Sequence, residues 1–398
     1  MAGPSNPFQV TLLAQGESFA DREGEVARIR EAWESPGAKL VVYGERRMGK
    51  TAAMEVAAAL ARSRSRPVVI VNLATAVDLP DAMRRLLTAV HSAVGRSWKT
   101  LLQDLAAKLR VTVTVTPDPA GSGLPGLSLG LEPAATAVRP GVFTDTLDAI
   151  EAQLARRGTR LGIGLDEFQR LLLWGGEDVE WALKASLEKH RHISYVLAGS
   201  SRSMIEEMVT NKHRALWKTV DTLALGPIPP EAFAAWIVRR AKASGVRLGR
   251  DVAESIVVMA GPRTRDVVLL AAATWEDARQ HGGEGNPTRA MDVFVAATDA
   301  LHRRLWDQAT GRERRLLRAL AADRALEPTS SAARATYALG APSTVAKALA
   351  SLVARELLGR DGQRYVFDDP CFRRWVELNT LADLGLPDPA GHPLRRTT

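Results

Sequence analysis

The stretch VVYGERRMGKT, residues 41–51, constrains this chain more than any other feature of its sequence. An apolar run ends at Gly44, four residues follow, and then come Gly49, Lys50 and Thr51. With a strand expected before it and a helix after it, this Gly-x-x-x-x-Gly-Lys-Thr spacing predicts a phosphate-binding loop. Glycines let successive backbone N–H groups curl around one anion at the N-terminus of the helix. An ordinary glycine turn with an exposed lysine is the alternative, and the two flanking elements favour the loop.

The loop predicts ATP or ADP as a ligand and Mg²⁺ as the ion that accompanies it. Lys50 is expected over the β- and γ-phosphates, and the Thr51 hydroxyl is expected to ligate the metal. The Asn-Lys-x-Asp motif for guanine is absent from the sequence, since residues 211–214 read NKHR. The residues of this segment expected to contact the nucleotide are Gly44, Glu45, Arg46, Arg47, Met48, Gly49, Lys50, Thr51 and Ala52.

A pair of carboxylates follows another apolar run, LGIGLDEF at 161–168. Asp166 is expected at the end of a buried strand, where it would complete the Mg²⁺ site with Thr51. Glu167 is then placed to orient an attacking water and to take its proton. Asp166, Glu167 and Lys50 are therefore the predicted catalytic residues. The alternative is an Asp-Glu pair that merely caps the next helix.

Further polar groups are candidates for contacts with the phosphates. Ser200 ends a fourth apolar run, ISYVLAGS at 193–200, and either Ser200 or the next residue, Ser201, is expected to reach the γ-phosphate or the attacking water. Serines that only form a tight turn are the alternative. Charge that develops on the transferred phosphoryl group calls for another cation. The candidates are Lys212, Arg214 and Lys218 in one segment and Arg263 and Arg265 in another, of which we favour Arg265. Exposed arginines that serve no site are the alternative for each of them.

Apolar runs and helical periodicity alternate through the first half of the chain, which predicts an α/β fold with a parallel sheet covered on both faces. Four strands are expected, near 39–44, 67–75, 160–168 and 193–200, and the segment 111–141 is expected to form an inserted hairpin or loop. Three helices are expected after residue 227. Three more helical segments and a hairpin around Asp361-Gly362 follow, which is the layout of a winged helix. The predicted domains are a flexible segment at 1–18, a P-loop core at 19–226, a helical lid at 227–285, a winged helix at 286–378 and a tail at 379–398.

Charge and cysteine content limit the classes of partner. The formal net charge is +8, which permits an anionic partner without requiring one. Cys371 is the only cysteine, so the sequence offers no disulfide pair and no cysteine-based metal site. The sequence shows neither a signal peptide nor an apolar run of membrane-spanning length. We therefore expect a cytoplasmic protein without a membrane partner.

The C-terminal region carries part of the positive charge. Residues 310–398 hold fourteen Lys and Arg against ten Asp and Glu, a net +4. The expected recognition helix, 342–358, should bury Val345, Leu349, Leu352 and Val353, and its first two turns lack the Arg, Asn or Gln side chains that normally read base edges. Around the wing, four arginines are expected to contact phosphates: Arg360, Arg364, Arg373 and Arg374. Non-specific contact with double-stranded DNA and a winged helix that contacts only protein remain equal alternatives.

These motifs together resemble the archaeal-type ATPase family within the AAA+/STAND group of P-loop NTPases. The resemblance rests on FADREGE (19–25), YGERRMGKT (43–51), LDEFQ (165–169), LAGSSRSMIEEM (197–208), GPRTRDVVLLA (261–271) and YVFDDPCFRRWV (365–376). It implies a P-loop core, a helical lid and a winged helix, ATP rather than GTP, and a position for Arg22 near the nucleotide base. GPRTRD is more basic than the stretch usual in the family, so the role of the lid arginines stays open.

The resulting hypothesis is an ATP-dependent switch that hydrolyses ATP slowly and couples the nucleotide to a winged helix that contacts DNA or a protein partner. Assembly with further copies of the chain is part of this hypothesis. A regulator that binds DNA and uses the nucleotide only as a structural ligand is the main alternative. A phosphotransferase acting on a small molecule is the third, although the sequence offers no obvious acceptor site.

Overall fold

The computed structural model describes residues 5–8, 22–94, 111–116, 126–131 and 141–381, with the backbone alone described for the two short segments from 111 to 131. The chain divides into two compact units. The sheet unit comprises residues 10–229 with 263–265, and the helical unit comprises residues 1–9, 230–262 and 266–398. Only the described residues of each unit are discussed below.

The sheet unit alternates helices and strands. Its elements are α1 (Glu23–Glu34), β1 (Lys39–Tyr43), α2 (Lys50–Ser63), β2 (Val68–Asn72), a 3-10 turn (Leu73–Thr75), α3 (Leu79–Val94), β3 (Val111–Thr116), β4 (Gly126–Leu131), α4 (Val142–Arg157), β5 (Leu161–Asp166), α5 (Arg170–Lys189), β6 (Ile193–Gly199), α6 (Arg202–Thr210) and β7 (Asp221–Ala224). The inserted segment forms an antiparallel hairpin of β3 and β4, as predicted.

Five of these strands form one parallel sheet in the order β2-β5-β6-β1-β7. The order places β1, which precedes the phosphate-binding loop, beside β6. It also places β5, which ends at Asp166, on the other side of β6. Because all five strands are parallel, the segments that follow them emerge at one edge of the sheet. The residues of the candidate site that lie at or just after the ends of these strands are therefore at that edge.

Both faces of the sheet are covered. Leu40 and Val42 pack in a cluster with α1 and α2, whereas Val41 between them packs in the cluster on the opposite face. Successive side chains of a strand point to opposite faces, so a strand buried on both sides reads as a continuous apolar run. This is why the four predicted strands could be recognised as continuous apolar runs in the sequence.

Trp33 of α1 fixes how that helix lies on the sheet. Its ring is fully buried, and the glycines of β5 provide the room for it. A Cβ atom at Gly162 would lie 2.8 Å from Trp33 Cδ1, and a Cβ atom at Gly164 would lie 2.9 Å from Met54 Cε. Both distances are below van der Waals contact. Gly162 faces the rigid Trp33 ring and needs the small size of glycine, whereas the flexible end of Met54 could shift away from a side chain at Gly164.

Three features of the sheet unit differ from the prediction. The fifth strand, β7, was missed because its four residues are largely exposed at the sheet edge and form no apolar run. Helix α5 begins at Arg170 and not near 179, and it continues through a kink at Gly176, whose φ is 62°. Helix α6 was also not predicted.

The helical unit contains the remaining elements. They are α7 (Pro230–Ala243), α8 (Arg250–Ala260), α9 (Thr264–His281), α10 (Pro287–Ala297), α11 (Asp299–Asp307), α12 (Gly311–Ala322), α13 (Ser331–Thr336), α14 (Pro342–Ala354), β8 (Leu358–Asp361), β9 (Arg364–Phe367) and α15 (Pro370–Thr380). The first three helices were predicted, and α9 begins in residues 264 and 265 of the sheet unit. Five helices, and not three, then precede the β8–β9 hairpin.

The hairpin and the helices around it form a winged helix, as predicted. Helix α15 packs against α10 and α12, and α14 packs against α12. Val345, Leu349 and Leu352 of α14 are buried as expected, whereas Val353 is 37% exposed and was wrongly placed in the core. It lies one residue after Leu352, and a step of one residue turns the side chain by about 100° around a helix.

Residues 5–8 belong to the segment that was expected to be flexible, yet they lie against the helical unit. The Phe8 ring is buried edge-on against Trp236, with ring centroids 5.5 Å apart. The Asn6 side-chain amide donates to Ala272 O at 2.9 Å. In the described ranges, none of the helices combines the length and the apolar character that a membrane crossing requires.

Candidate nucleotide site

The site begins where three neighbouring strands end. Gly44 follows β1, Asp166 is the last residue of β5, and Ser200 follows β6. The register pairs Tyr43 with Gly199 and Asp166 with Ala198, so these strand ends lie level with one another. The predicted residues of the loop, the carboxylate pair and the serine are thus brought together at one edge of the sheet.

The backbone of the loop needs both of its glycines. A Cβ atom at Gly44 would lie 2.3 Å from the carbonyl oxygen of Leu225, so a larger residue would push the loop away from the segment after β7. Gly49 precedes the first residue of α2 with φ +90°, a left-handed conformation that other residues rarely adopt. These two positions are the fixed glycines of the sequence motif.

Lys50 is buried inside the curve of the loop. Its ammonium group donates to Gly44 O at 2.9 Å and to Glu45 O at 2.6 Å. Burial lowers the pKa of Lys50, and the negative charges of Glu167 and Asp166 oppose that shift. A buried cation that bonds two carbonyl oxygens can exchange them for phosphate oxygens, so this residue fits the role expected of it.

Thr51 and Asp166 form the polar pair that was predicted to hold Mg²⁺. The Thr51 hydroxyl donates to Asp166 Oδ2 at 2.7 Å. Asp166 is 2% exposed, and burial raises the pKa of its carboxyl group against the opposing effect of the Thr51 hydrogen bond. A hydroxyl and a carboxylate side by side are oxygen donors of the kind that Mg²⁺ prefers. The residues therefore fit the ion.

Glu167 lies in the turn between β5 and α5, with a φ of +57° that only a constrained turn maintains. The Ser200 hydroxyl donates to Glu167 Oε2 at 2.7 Å, and the side-chain amide of Gln169 donates to the same oxygen. The turn is attached to the neighbouring strand by Phe168 N–H, which donates to Ala198 O at 3.0 Å. Ser200 thus contacts the predicted catalytic glutamate directly.

Gln169 is the residue of this site to which the sequence reasoning gave no role. It forms part of the LDEFQ segment, but a glutamine at the start of a helix has no distinctive spacing that would mark it. Its side chain is 8% exposed and lies against Gly199, where an added Cβ atom would meet Gln169 Oε1 at 2.4 Å. Only the fold reveals this neighbour on β6.

Arg22 connects three segments beneath the loop. Its guanidinium group donates to Met48 O at 3.0 Å and to Gly226 O at 2.7 Å, and it pairs with Glu25 at 3.1 Å. The side chain is 3% exposed. These contacts hold the loop to the start of α1 and to the segment after β7. The position of Arg22 near the nucleotide base remains what the resemblance implies.

The segment 263–265 also lies against the loop. Arg265 N–H donates to Arg47 O at 3.1 Å, and the Thr264 hydroxyl donates to Met48 O at 3.3 Å. The Arg265 side chain is exposed, as are those of Arg46 and Arg47. Met48 is buried, and Glu45 and Ala52 are partly exposed. The backbone of the favoured arginine is therefore fixed at the loop, with its side chain facing solvent.

The alternative cations differ in their surroundings. Arg214 forms an ion pair with Glu180, which is 2% exposed, and its Nε donates to Glu180 Oε2 at 3.0 Å. The Lys218 ammonium lies 4.5 Å from the centroid of the Trp217 ring. Lys212 is exposed, whereas Arg263 is 7% exposed. Arg214 is thus committed to an ion pair inside the sheet unit.

In the helical unit, two of the four arginines predicted to contact DNA phosphates are placed differently. Arg374 is buried and bonds Asp292 at 2.8 Å and Glu377 at 3.3 Å. Arg373 pairs with Glu377 at 3.0 Å, and burial lowers its pKa to about 10. The prediction for these two was wrong because α15 directs Arg374 into the core and leaves Arg373 only partly exposed, and carboxylates pair with both.

The other two arginines, Arg360 and Arg364, are exposed on the wing, as predicted. Arg360 lies over the Tyr365 ring at 4.8 Å from its centroid and donates to the Tyr365 hydroxyl at 2.6 Å. An arginine held over an aromatic ring keeps its charge in solvent while its position is fixed.

Comparison with known proteins agrees with this geometry. Residues 19–236, more than half of the chain, match the family described as "ATPase domain predominantly from Archaea". Residues 300–378 match the family described as "Probable winged helix domain". No curated protein sequence matches the chain.

Two solved structures, one from Pyrococcus abyssi and one from Aeropyrum pernix, resemble most of this chain in fold. A Walker-type ATPase of Pyrococcus abyssi is 15% identical, with 93% of this chain and 99% of that chain covered at a TM-score of 0.58. The ORC2 protein of Aeropyrum pernix, solved as ADPNP–ADP complexes, is 14% identical, with 96% and 98% covered at a TM-score of 0.54. At these identities the likeness concerns the fold. The match over residues 19–236, together with the loop and the carboxylate pair at one sheet edge, shows that the chain belongs to the family of ATPase domains found predominantly in Archaea.

Proposed function

We propose that this protein binds ATP with Mg²⁺ at the loop of residues 44–51 and hydrolyses it slowly, and that the bound nucleotide controls what the winged helix contacts. The observation that carries the proposal is the convergence of Lys50, Thr51, Asp166 and Glu167 at the edge where β1, β5 and β6 end. Membership of an ATPase family supports the same ligand. The ORC2 neighbour, solved with ADPNP and ADP, supports it at the level of the fold.

Each residue has a distinct part in the proposed reaction. Lys50 exchanges its two carbonyl partners for phosphate oxygens, and the backbone N–H groups of the loop surround the phosphate chain. Thr51 and Asp166 would hold Mg²⁺, which supplies positive charge beside the phosphates. Glu167 orients a water molecule and takes its proton as the water oxygen attacks the γ-phosphorus, and the bond to the bridging oxygen of ADP breaks.

The hydrolytic part is tested by replacing Glu167 with glutamine. Glu167→Gln keeps the shape of the side chain but removes the proton acceptor, so phosphate release should fall by roughly 10²- to 10⁴-fold. Affinity for ATP, measured by calorimetry, should stay within a few-fold of wild type. Glu254→Gln, an exposed glutamate of α8, is the matched control and should change neither quantity. Unchanged phosphate release in Glu167→Gln would contradict hydrolysis by this site.

A non-hydrolysing regulator that binds DNA is the second candidate function. It is favoured by the net +4 of residues 310–398 and by the exposed Arg360 and Arg364 on the wing. Contacts of this kind neutralise phosphates without reading bases, so affinity for a random duplex should fall steeply with salt. Fluorescence anisotropy with a labelled duplex across a salt series measures this. No binding at low salt would leave a protein partner as the remaining target of the winged helix.

Assembly of several copies is the last part of the proposal. Arg265 is exposed beside the loop, where an arginine of the same chain or of a second copy can approach the phosphates. Light scattering coupled to size exclusion, with and without a non-hydrolysable ATP analogue, measures the mass of the complex. A single-chain mass under both conditions would contradict assembly driven by the nucleotide.

A further inference from the structure

We propose that Gln169 is a positioning residue that holds the Glu167 carboxylate in the orientation needed to act on water. The inference rests on the proposed function and deepens it. The Gln169 side-chain amide donates to Glu167 Oε2, two residues earlier in the same turn. An ionised carboxylate can only accept hydrogen bonds, so this contact assigns the amide nitrogen of Gln169 to face Glu167.

The two donors leave one face of the carboxylate available. Ser200 Oγ and Gln169 Nε2 both donate to Oε2. In the part of the chain that the structure describes, neither they nor any other donor bonds Oε1 of Glu167, which is partly exposed. Fixing one oxygen determines the plane of the carboxylate, and Oε1 is then the atom that can accept a proton from water.

Ser200 cannot provide this orientation alone. Its hydroxyl has one hydrogen, which in this structure is donated to Glu167 at 2.7 Å. If Ser200 turns to the γ-phosphate when ATP binds, it can no longer donate to Glu167. Gln169 is then the donor that remains on Oε2, so it is needed most in the state that hydrolyses ATP.

The burial of Gln169 supports a role beyond packing. Its side chain is 8% exposed, and its Oε1 is buried without a hydrogen-bond partner among the described residues. A buried amide oxygen in that condition destabilises the fold, and an apolar side chain of similar length would avoid the penalty. Gly199 provides the space, because a Cβ atom there would lie 2.4 Å from Gln169 Oε1. The unpaired Gln169 oxygen destabilises the fold, and the same side chain supplies the N–H group that donates to Glu167.

The test replaces Gln169 with methionine, which has a similar length but no donor. At saturating Mg²⁺ and ATP, Gln169→Met should lower kcat roughly tenfold or more, as expected when a catalytic group loses its orientation. The Kd for ATP should stay within about twofold of wild type, since among the described residues the Gln169 side chain donates to Glu167 and forms no hydrogen bond with the loop, and the melting temperature should not fall. Gln169→Asn keeps the amide but is one methylene shorter, and it should lower kcat as well. Gln280→Met, at an exposed glutamine of α9, is the control and should leave kcat unchanged.

A double variant separates positioning from structure. In the Glu167→Gln background, Gln169→Met should cause no further loss of kcat, because the two residues act as one unit. An additional tenfold loss in that background, or a Kd that rises as much as kcat falls, would overturn the inference. Turnover within twofold of wild type for Gln169→Met, with Glu167→Gln strongly impaired, would refute the inference and leave the proposed function intact. Unimpaired turnover in Glu167→Gln would refute the proposed function itself.

Discussion

Removal of Arg214 should destabilise the sheet unit, and any loss of ATPase activity should follow from that. Glu180 is 2% exposed and accepts hydrogen bonds from Arg214 and from Ala215 N–H at 3.1 Å. Among the described residues, Arg214 is the charged donor to Glu180, so Arg214→Met leaves the Ala215 backbone N–H as the remaining hydrogen-bond partner. Breaking a buried ion pair by removing one member leaves an uncompensated charge, which costs about 3–5 kcal/mol.

The size of the effect follows from burial, because the same substitution at an exposed pair should do little. Arg202 pairs with Glu206 at 2.8 Å, but the two side chains are 56% and 38% exposed. An exposed pair contributes about 0–1 kcal/mol, so Arg202→Met should be nearly neutral. For a unit of this size, each 1 kcal/mol shifts the melting temperature by roughly 2–4 °C. Arg214→Met should therefore lower it by about 6–20 °C, on the same scale.

Differential scanning calorimetry and phosphate release separate the two roles of Arg214. The double variant Glu180→Leu/Arg214→Met removes both charges and should recover most of the lost stability. If Arg214 acts only in the ion pair, this double variant also recovers ATPase activity at a temperature where it is folded. A stable double variant with no activity would show that Arg214 supplies the cation for the phosphoryl group, against our reasoning. A melting temperature of Arg214→Met equal to that of wild type would refute the energetic argument.

Two further predictions concern the sheet unit. Gly162→Val should lower the free energy of unfolding by about 1–3 kcal/mol, because the new side chain overlaps the Trp33 ring. The control is Gly24→Ala, whose added Cβ atom meets nothing within 4 Å and should not lower the free energy of unfolding. Urea denaturation of both variants measures the difference. Burial raises the pKa of Asp166 above its value of 3.8 in the unfolded chain, so its charge disfavours the nucleotide-free fold at neutral pH and that penalty disappears as the pH falls through the raised pKa. Mg²⁺ must compete with the proton on Asp166. As the pH is lowered, the gain in ATP affinity that Mg²⁺ gives should therefore begin to decline before the pH reaches 3.8. Calorimetric titrations of ATP with and without Mg²⁺, between neutral pH and about pH 5, measure this gain, and a constant gain would refute the prediction.

The sequence predicted which residues of the candidate site lie together, because its motifs are local and directly follow strands. The spacing from Gly44 to Thr51 and the carboxylate at Asp166 each follow a buried strand, and parallel strands bring their ends to one edge. Predicting that these residues lie together therefore required no knowledge of long-range packing. Four of the five strands of the sheet could likewise be predicted from apolar runs, and the winged helix could be predicted from helical periodicity followed by the Asp361-Gly362 turn.

The features that were missed depend on contacts between distant segments. Strand β7 is short and exposed, and only its pairing with β1 makes it part of the sheet. Gln169 fits beside Glu167 because Gly199 on another strand leaves room for its side chain, and no spacing rule indicates that neighbour. Arg373 and Arg374 were predicted to contact phosphates because they lie near the wing in the sequence, and the carboxylates that pair with them, on α10 and α15, are revealed only by the fold.

The central claim is that the loop of residues 44–51 holds the phosphates of ATP, and affinity for ATP is its most direct test. Lys50 is buried in the curve of the loop, whereas Lys212 is exposed, so Lys50→Ala and Lys212→Ala form a matched pair. Isothermal titration with ATP and Mg²⁺ should show at least a roughly tenfold weaker Kd for Lys50→Ala, since charge-assisted contacts to phosphate contribute about 1.5–3 kcal/mol, and no change for Lys212→Ala. Full ATP affinity in a folded Lys50→Ala variant would contradict the account.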